Sequence, residues 1–384
     1  MIKWLYQILK PSKGSYVPHW KTKHSIYRAI VNHIEENGDN CHVSSVSLCN
    51  KNKKAETTPG FSDALSEPCY NKPSVDEARE LALKVKKIAE TGSKATENSF
   101  YDYIVKHKDI VSLIDPFLEE ISNNALAIEP HLFGFANDLA FNSNNKNAVK
   151  LGIAILGLCQ NQVIIEKLKI LGRHDEFTVY VVIALLSLCE DPEDELFELG
   201  QHVNGWGKIQ LVDRLARISS KEVVRKWLIT EGFKNSVNNQ YLACTCATGG
   251  LLHKKLEGEK ISHAYYKSTS EILISMLESG PGEDISCYEH SPELIKSFLD
   301  HSLVHAKSIY DFILLHRIKL YLNNQLLEKY KDSGWNDKLI TDCLITLDNV
   351  IKNGKWKDLV AKALSDIEDD HYENVKEAAK ILGL

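Results

Sequence analysis

The chain has 384 residues, with 46 Lys plus Arg against 52 Asp plus Glu and a formal charge of -6. That balance opposes whole-surface attraction to nucleic acid or anionic lipid, and the length allows two or three globular units or one elongated repeat array. Apolar residues make up 43% and charged residues 26%, ordinary for a soluble protein, whereas 20 Gly and 10 Pro fall short of the usual share of about 12%. Few turn formers predict long, weakly interrupted helices, and no motif present is strong enough to name a reaction.

Residues 1 to 34 hold Lys3, Lys10, Lys13, Lys21, Lys23 and Arg28 and no acidic residue. Interleaved with Trp4, Leu5, Tyr6, Ile8, Leu9 and Trp20, they have the composition of a short amphipathic helix. Residues 1 to 24 would suit peripheral contact with an anionic membrane surface; the competing reading is a terminal helix docked on the body of the fold. No small-residue cleavage site follows, so the segment does not read as a signal peptide. Nine cysteines, an odd number, several inside apolar runs such as those ending at Cys159 and Cys189, point to reduced thiols and a cytoplasmic setting.

Residues 35 to 73 lack apolar periodicity and are rich in Asn, Ser, Lys and Pro, the composition of a polar linker or loop. Helical signals then run from residue 74 to 384. Ser74 to Glu77 forms a capping box before the stripe Ala78, Leu81, Ala82, Val85, Ile88 and Ala89, which stops at Gly92. Asp175 is placed to cap the helix that follows Gly172. Asp191-Pro192, Ser219 to Glu222 and Ser291-Pro292 are further starts. Amphipathic stripes recur at the C-terminus on Ile340, Cys343 and Leu347, on Val360 and Leu364, and on Val375, Ala379 and Leu382. No hairpin signal is present.

An internal echo is the most informative pattern. Leu151 to Cys159 overlays Val181 to Cys189 at a shift of 30, and a further 30 reaches Leu215, Ala216 and Ile218. Both early copies are apolar all round, so each must be covered on several sides. Between them the one-sided segment Gln162 to Leu171 presents Ile164, Leu168 and Leu171. Helix, turn, helix at about this period is the signature of a repeat array. Asp175 to Leu188 and Gly207 to Ile218 resemble the second helix of HEAT or armadillo-type repeats, with small Ala184 and Ala216 where neighbouring helices approach. The similar segments span about 125 to 250 and lack the family's recurrent first-helix Pro and its placed Asp and Arg. The resemblance implies an all-α fold, an α-solenoid of stacked antiparallel helix pairs, and a scaffold that binds another protein on its concave face.

Chemistry-bearing clusters are sparse. His301 and His305 stand at i, i+4, the spacing at which two imidazoles converge on zinc, with Asp300 and Asp311 nearby, but the Glu of an HExxH motif is missing. Cys41-His42, Cys49 and Cys69 include no CxxC pair, and Cys244 and Cys246 form a CxC that reads as core. Neither a metal nor a cofactor is assigned. Gly205 to Lys208 lacks the spacing of a phosphate loop; Trp206 there is either an aromatic anchor for a partner or a side chain packed onto Leu199 or Ile209. Acidic runs at Glu190 to Glu198 and Asp366 to Asp370 would steer a basic partner. The contact residues expected for a protein partner are Trp206, Lys208, Asp213, Arg214, Tyr241, His301 and His305. The alternative is a DNA-acting enzyme resembling the alkylpurine glycosylases built from HEAT-like repeats, recruiting Trp206, Trp227 and Asp213. Only seven of the 46 basic residues are Arg, and residues 35 to 384 are acidic, a balance that opposes duplex binding.

Overall fold

A chain poor in Gly and Pro has few places to break a helix. In the computed structural model every regular element among the described residues is helical, and those residues contain no strand. The structure describes residues 18, 20–21, 24–46, 48, 58–61, 75–107, 110–123, 130–258, 260–327, 334–352, 356–365 and 372–384. The amphipathic stretch before residue 18, Ser74, Cys49, Cys69 and the acidic run 366–370 lie outside them. Two compact units divide the chain, residues 1–208 and 209–384.

The first unit contains α1 (Ile26–Asn37), α2 (Val75–Thr91), α3 (Lys94–Ile104), α4 (Val111–Asn123), α5 (Pro130–Asn142), α6 (Lys146–Leu158), α7 (Ile165–Gly172), α8 (Asp175–Leu188) and α9 (Glu193–Gly200). The α2 stripe from Ala78 to Ala89 is buried and ends at Gly92, which takes φ +59°. Trp20 is buried in this unit, stacked on Tyr101 with ring centroids 4.9 Å apart.

The two echo segments are helices α6 and α8, and they lie side by side and parallel. Near their starts Lys150 meets Glu176 at 2.9 Å, and near their ends Ser187 Oγ donates to the Gly157 carbonyl at 2.9 Å. A Cβ on Gly157 would stand 3.1 Å from Ala184 Cα, so the closest approach is small residue on small residue. α8 is covered on several sides, as expected, but not on every side: Ile183, Leu186 and Ser187 are exposed along one stripe. α6, α7, α9 and the first residues of the helix that starts at Trp206 pack on its other faces, and this stripe faces solvent.

α10 (Trp206–Ile218) begins at the end of the first unit, and its larger part belongs to the second. The second unit continues with α11 (Glu222–Trp227), α12 (Gln240–Gly249), α13 (Leu252–Leu256), α14 (His263–Leu277), α15 (Ser291–His305), α16 (Ile309–Gln325), α17 (Asp337–Lys352), α18 (Trp356–Ser365) and α19 (Tyr372–Leu382). Packing skips a helix: α12 on α14 and α14 on α16 form one succession, α13 on α15 and α15 on α17 another. A π-helical turn, Leu228–Gly232, prolongs α11.

Helix starts differ from expectation in four places. Pro192 stands at the cap position of α9, which begins at Glu193, one residue later than the Asp191-Pro192 pair implied. Ser219 does not cap α11; its hydroxyl donates to the carbonyls of Ala216 and Gly249 instead, and α11 starts at Glu222 after Lys221. Ser291 is the first residue of α15 and His290 stands at the cap position. At α8 the cap is His174, whose Nδ1 accepts from the Glu176 amide at 3.2 Å; Asp175, one residue later, is turned to another use described below.

Candidate functional site

A cavity of about 580 Å³ opens in the second unit between the end of α13, the loop after it and one face of α15. Its lining includes Leu256, Lys260, Ile261, Ser297, Asp300, His301, Val304 and His305. The α15 residues recur every three or four positions because they share one face of a helix. His301 Nε2 donates to the Leu256 carbonyl at 2.9 Å, which ties α15 to the end of α13. His305 stacks beside Tyr266, ring centroids 5.3 Å apart, and beside His263 at 5.9 Å. Burial pushes the His305 imidazole below its usual range, and His263, His301 and Lys307 push the same way against the Ile261 carbonyl. The neutral form of His305 is thereby favoured.

The pair His301 and His305 therefore shares a cavity, but the far nitrogen of His301 is committed to a backbone carbonyl. Among the described residues no group of three or more His, Cys, Asp and Glu is arranged to hold a metal ion. Asp311 is used locally, its carboxylate accepting from the amides of Lys307 and Ser308 at 2.8 Å to close a capping box on α16. At three buried cysteines the thiolate is disfavoured: burial pushes Cys244 up to about 12 and Cys159 and Cys343 up to about 11.

Trp206 and Lys208 are both buried, each 7% exposed. The Trp206 ring meets the edge of Phe61, centroids 5.0 Å apart. Asp213 and Arg214 are half-buried on α10; Asp213 pairs with Arg217 at 3.0 Å, and Arg214 bonds the Gln210 carbonyl at 3.1 Å. Tyr241 is half-buried in the first turn of α12. Trp227 ends α11 with its ring against Gly232. Of the seven expected contact residues, His301 and His305 line this cavity and the other five do not.

Two features escaped the sequence reading. The first is Asp175, 6% exposed. Its carboxylate accepts from the Gly207 amide at 3.3 Å, from the Trp206 amide and from the Ser44 hydroxyl, yet burial outweighs these bonds and pushes its pKa up to about 7. The second is the described part of the expected linker. Arg173 binds Asp39 through the carboxylate at 2.6 Å and through the main-chain carbonyl; His174 Nε2 donates to the Val46 carbonyl at 3.1 Å; the Asp175 amide donates to Ser44 Oγ at 3.0 Å. Three consecutive residues at the α7–α8 junction thus hold residues 39 to 46 against the unit, with Val43 buried beneath. The Pro59-Gly60 dipeptide was the available signal for the turn that meets Trp206. A buried carboxylate leaves no such mark in a single sequence.

No protein-family model, curated protein or solved structure matches this chain. Among the described residues no helix is long and apolar enough to cross a membrane.

Proposed function

We propose that the chain is a non-enzymatic protein-binding scaffold of the α-solenoid class, similar to HEAT and armadillo repeat proteins. The observation that carries this reading is the skipped packing of the second unit, α12–α14–α16 beside α13–α15–α17. In stacked helix pairs each helix meets its counterpart in the next pair, and the parallel contact of α6 with α8 in the first unit is of the same kind. Exposed aliphatic residues support a protein partner: Ile183 and Leu186 on α8, and Leu303 and Val304 beside the α15 cavity. Exposed Glu190, Asp191, Asp194 and Glu198 favour a basic one. A reducing cytoplasm suits the seven described cysteines, all free thiols.

The test compares the intact chain with Val304→Asp and with Ile183→Glu/Leu186→Glu as baits, each partner recovered being titrated by calorimetry. The scaffold reading expects a stoichiometric protein partner whose affinity falls at least ten-fold with one of the variants. Salt-sensitive binding of duplex DNA with no protein partner recovered would overturn it in favour of the nucleic-acid reading.

A further inference from the structure

Thr58 to Phe61 is a turn that organises itself. The Phe61 amide donates to the Thr58 carbonyl at 3.1 Å, Pro59 fixes the second position, and Gly60 takes φ +73° at the third. This is the type II arrangement, in which Pro is favoured and Gly is nearly obligatory. A Cβ on Gly60 would stand 2.7 Å from the Asp175 carbonyl oxygen, so the turn reaches the unit through bare backbone. It then delivers one side chain, Phe61, edge-on to Trp206.

The surface that receives it is built for close approach. Gly205 takes φ +86°, and a Cβ on Gly207 would lie 2.8 Å from Asp175 Oδ1. Those glycines allow the buried carboxylate to bind the amides of Trp206 and Gly207, which fixes the indole in place. Phe61 itself remains 38% exposed, whereas Trp206 beneath it is 7% exposed. A rigid aromatic floor thus carries a small, partly wetted occupant.

We propose that the Trp206 cradle is a docking site for a Pro-Gly-aromatic turn, and that Thr58 to Phe61 is its resident plug, displaced when a partner protein presents the same turn. The inference goes beyond the scaffold reading and stands without it, because the plug and cradle lie wholly within the first unit. A cradle occupied by its own turn about nine-tenths of the time would bind a free turn about ten-fold more weakly than an empty one.

The probe is a fluorescein-labelled peptide with this chain's residues 55 to 64, read by polarisation against the full chain and against Phe61→Ala. Binding about ten-fold tighter to Phe61→Ala, and lost when the peptide's own Phe is replaced by Ala, is the expected result. Equal affinity for both proteins, or no binding to either, overturns the proposal. Should Phe61→Ala fail to fold, wild-type protein suffices: excess unlabelled peptide should accelerate chymotryptic cleavage after Phe61, and an unchanged rate at saturating peptide refutes displacement.

Discussion

Replacing Gly249 by Ala should destabilise the second unit, although the same change in an isolated helix stabilises. A Cβ on Gly249 would stand 2.6 Å from Ala216 Cβ and 2.8 Å from both Ala216 Cα and the Ala216 carbonyl oxygen. Two of those three atoms are main chain, so α10 and α12 must separate rather than a side chain rotate. Gly→Ala in a helix gains about 0.5–1 kcal/mol, and forcing extra volume into a packed contact costs about 1–3 kcal/mol. The net is a loss of up to about 2.5 kcal/mol, a fall in Tm of up to roughly 10 °C for a unit of this size. Calorimetric melting of the full chain measures it, with hydrogen exchange of the α12 amides assigning the transition. Gly157→Ala is the internal control: its Cβ would lie 3.1 and 3.2 Å from Ala184 Cα and Cβ, where gain and cost nearly cancel. Adding Ala216→Gly to Gly249→Ala should restore only part of the loss, since the main-chain contacts stay. A rise in Tm for Gly249→Ala, or Gly157→Ala proving the more damaging of the two, would refute close helix approach at these positions.

Asp175 predicts a pH dependence for the first unit. Its folded pKa of about 7 stands above the ordinary 3.8, so the folded chain holds more protons than the unfolded one between those values. Stability contributed there is present at acid pH and lost as pH rises toward 7; Asp175→Asn should flatten urea midpoints compared at about pH 5 and about pH 8. Ser187→Ala and Ser219→Ala each remove a hydroxyl donor to a helix-terminal carbonyl and should cost about 0.5–1.5 kcal/mol by denaturant melting. His301→Ala strips the donor from the Leu256 carbonyl, and the amides of residues 256 to 262 should exchange faster while those of α17 stay unchanged.

Apolar periodicity made the helices legible because a buried stripe every three or four residues is written directly in the chain, as Leu81, Val85 and Ile88 of α2 illustrate. Helix starts were less legible. Ser219 looks like a cap in sequence, yet its hydroxyl finds better acceptors at Ala216 and Gly249, a choice made by tertiary neighbours. Polar composition said nothing of how residues 39 to 46 dock, because their anchors Arg173, His174 and Asp175 lie more than a hundred positions away. Trp206 read equally well as an anchor or as packing; its covering residue, Phe61, belongs to the segment set aside as a loop. The i, i+4 spacing placed His301 and His305 at one cavity, but spacing says nothing of the carbonyl that claims His301 Nε2.

The echo has a physical register that differs from its sequence register. Ala184 and Ser187 both meet Gly157, and Ala216 and Ser219 both meet Gly249, so the equivalent positions are 32 apart rather than 30. The glycine lies before the Ala-x-x-Ser segment in the first case and after it in the second, so no copied unit of fixed order explains the recurrence. Helix ends do. Gly157 and Gly249 occupy the last turns of α6 and α12, where carbonyls lack an intrahelical donor. A neighbouring helix that brings Ala against the glycine comes close enough for a serine one turn later to supply that donor. Close approach and satisfied helix ends are then one requirement, met twice by the same i, i+3 spacing of Ala and Ser.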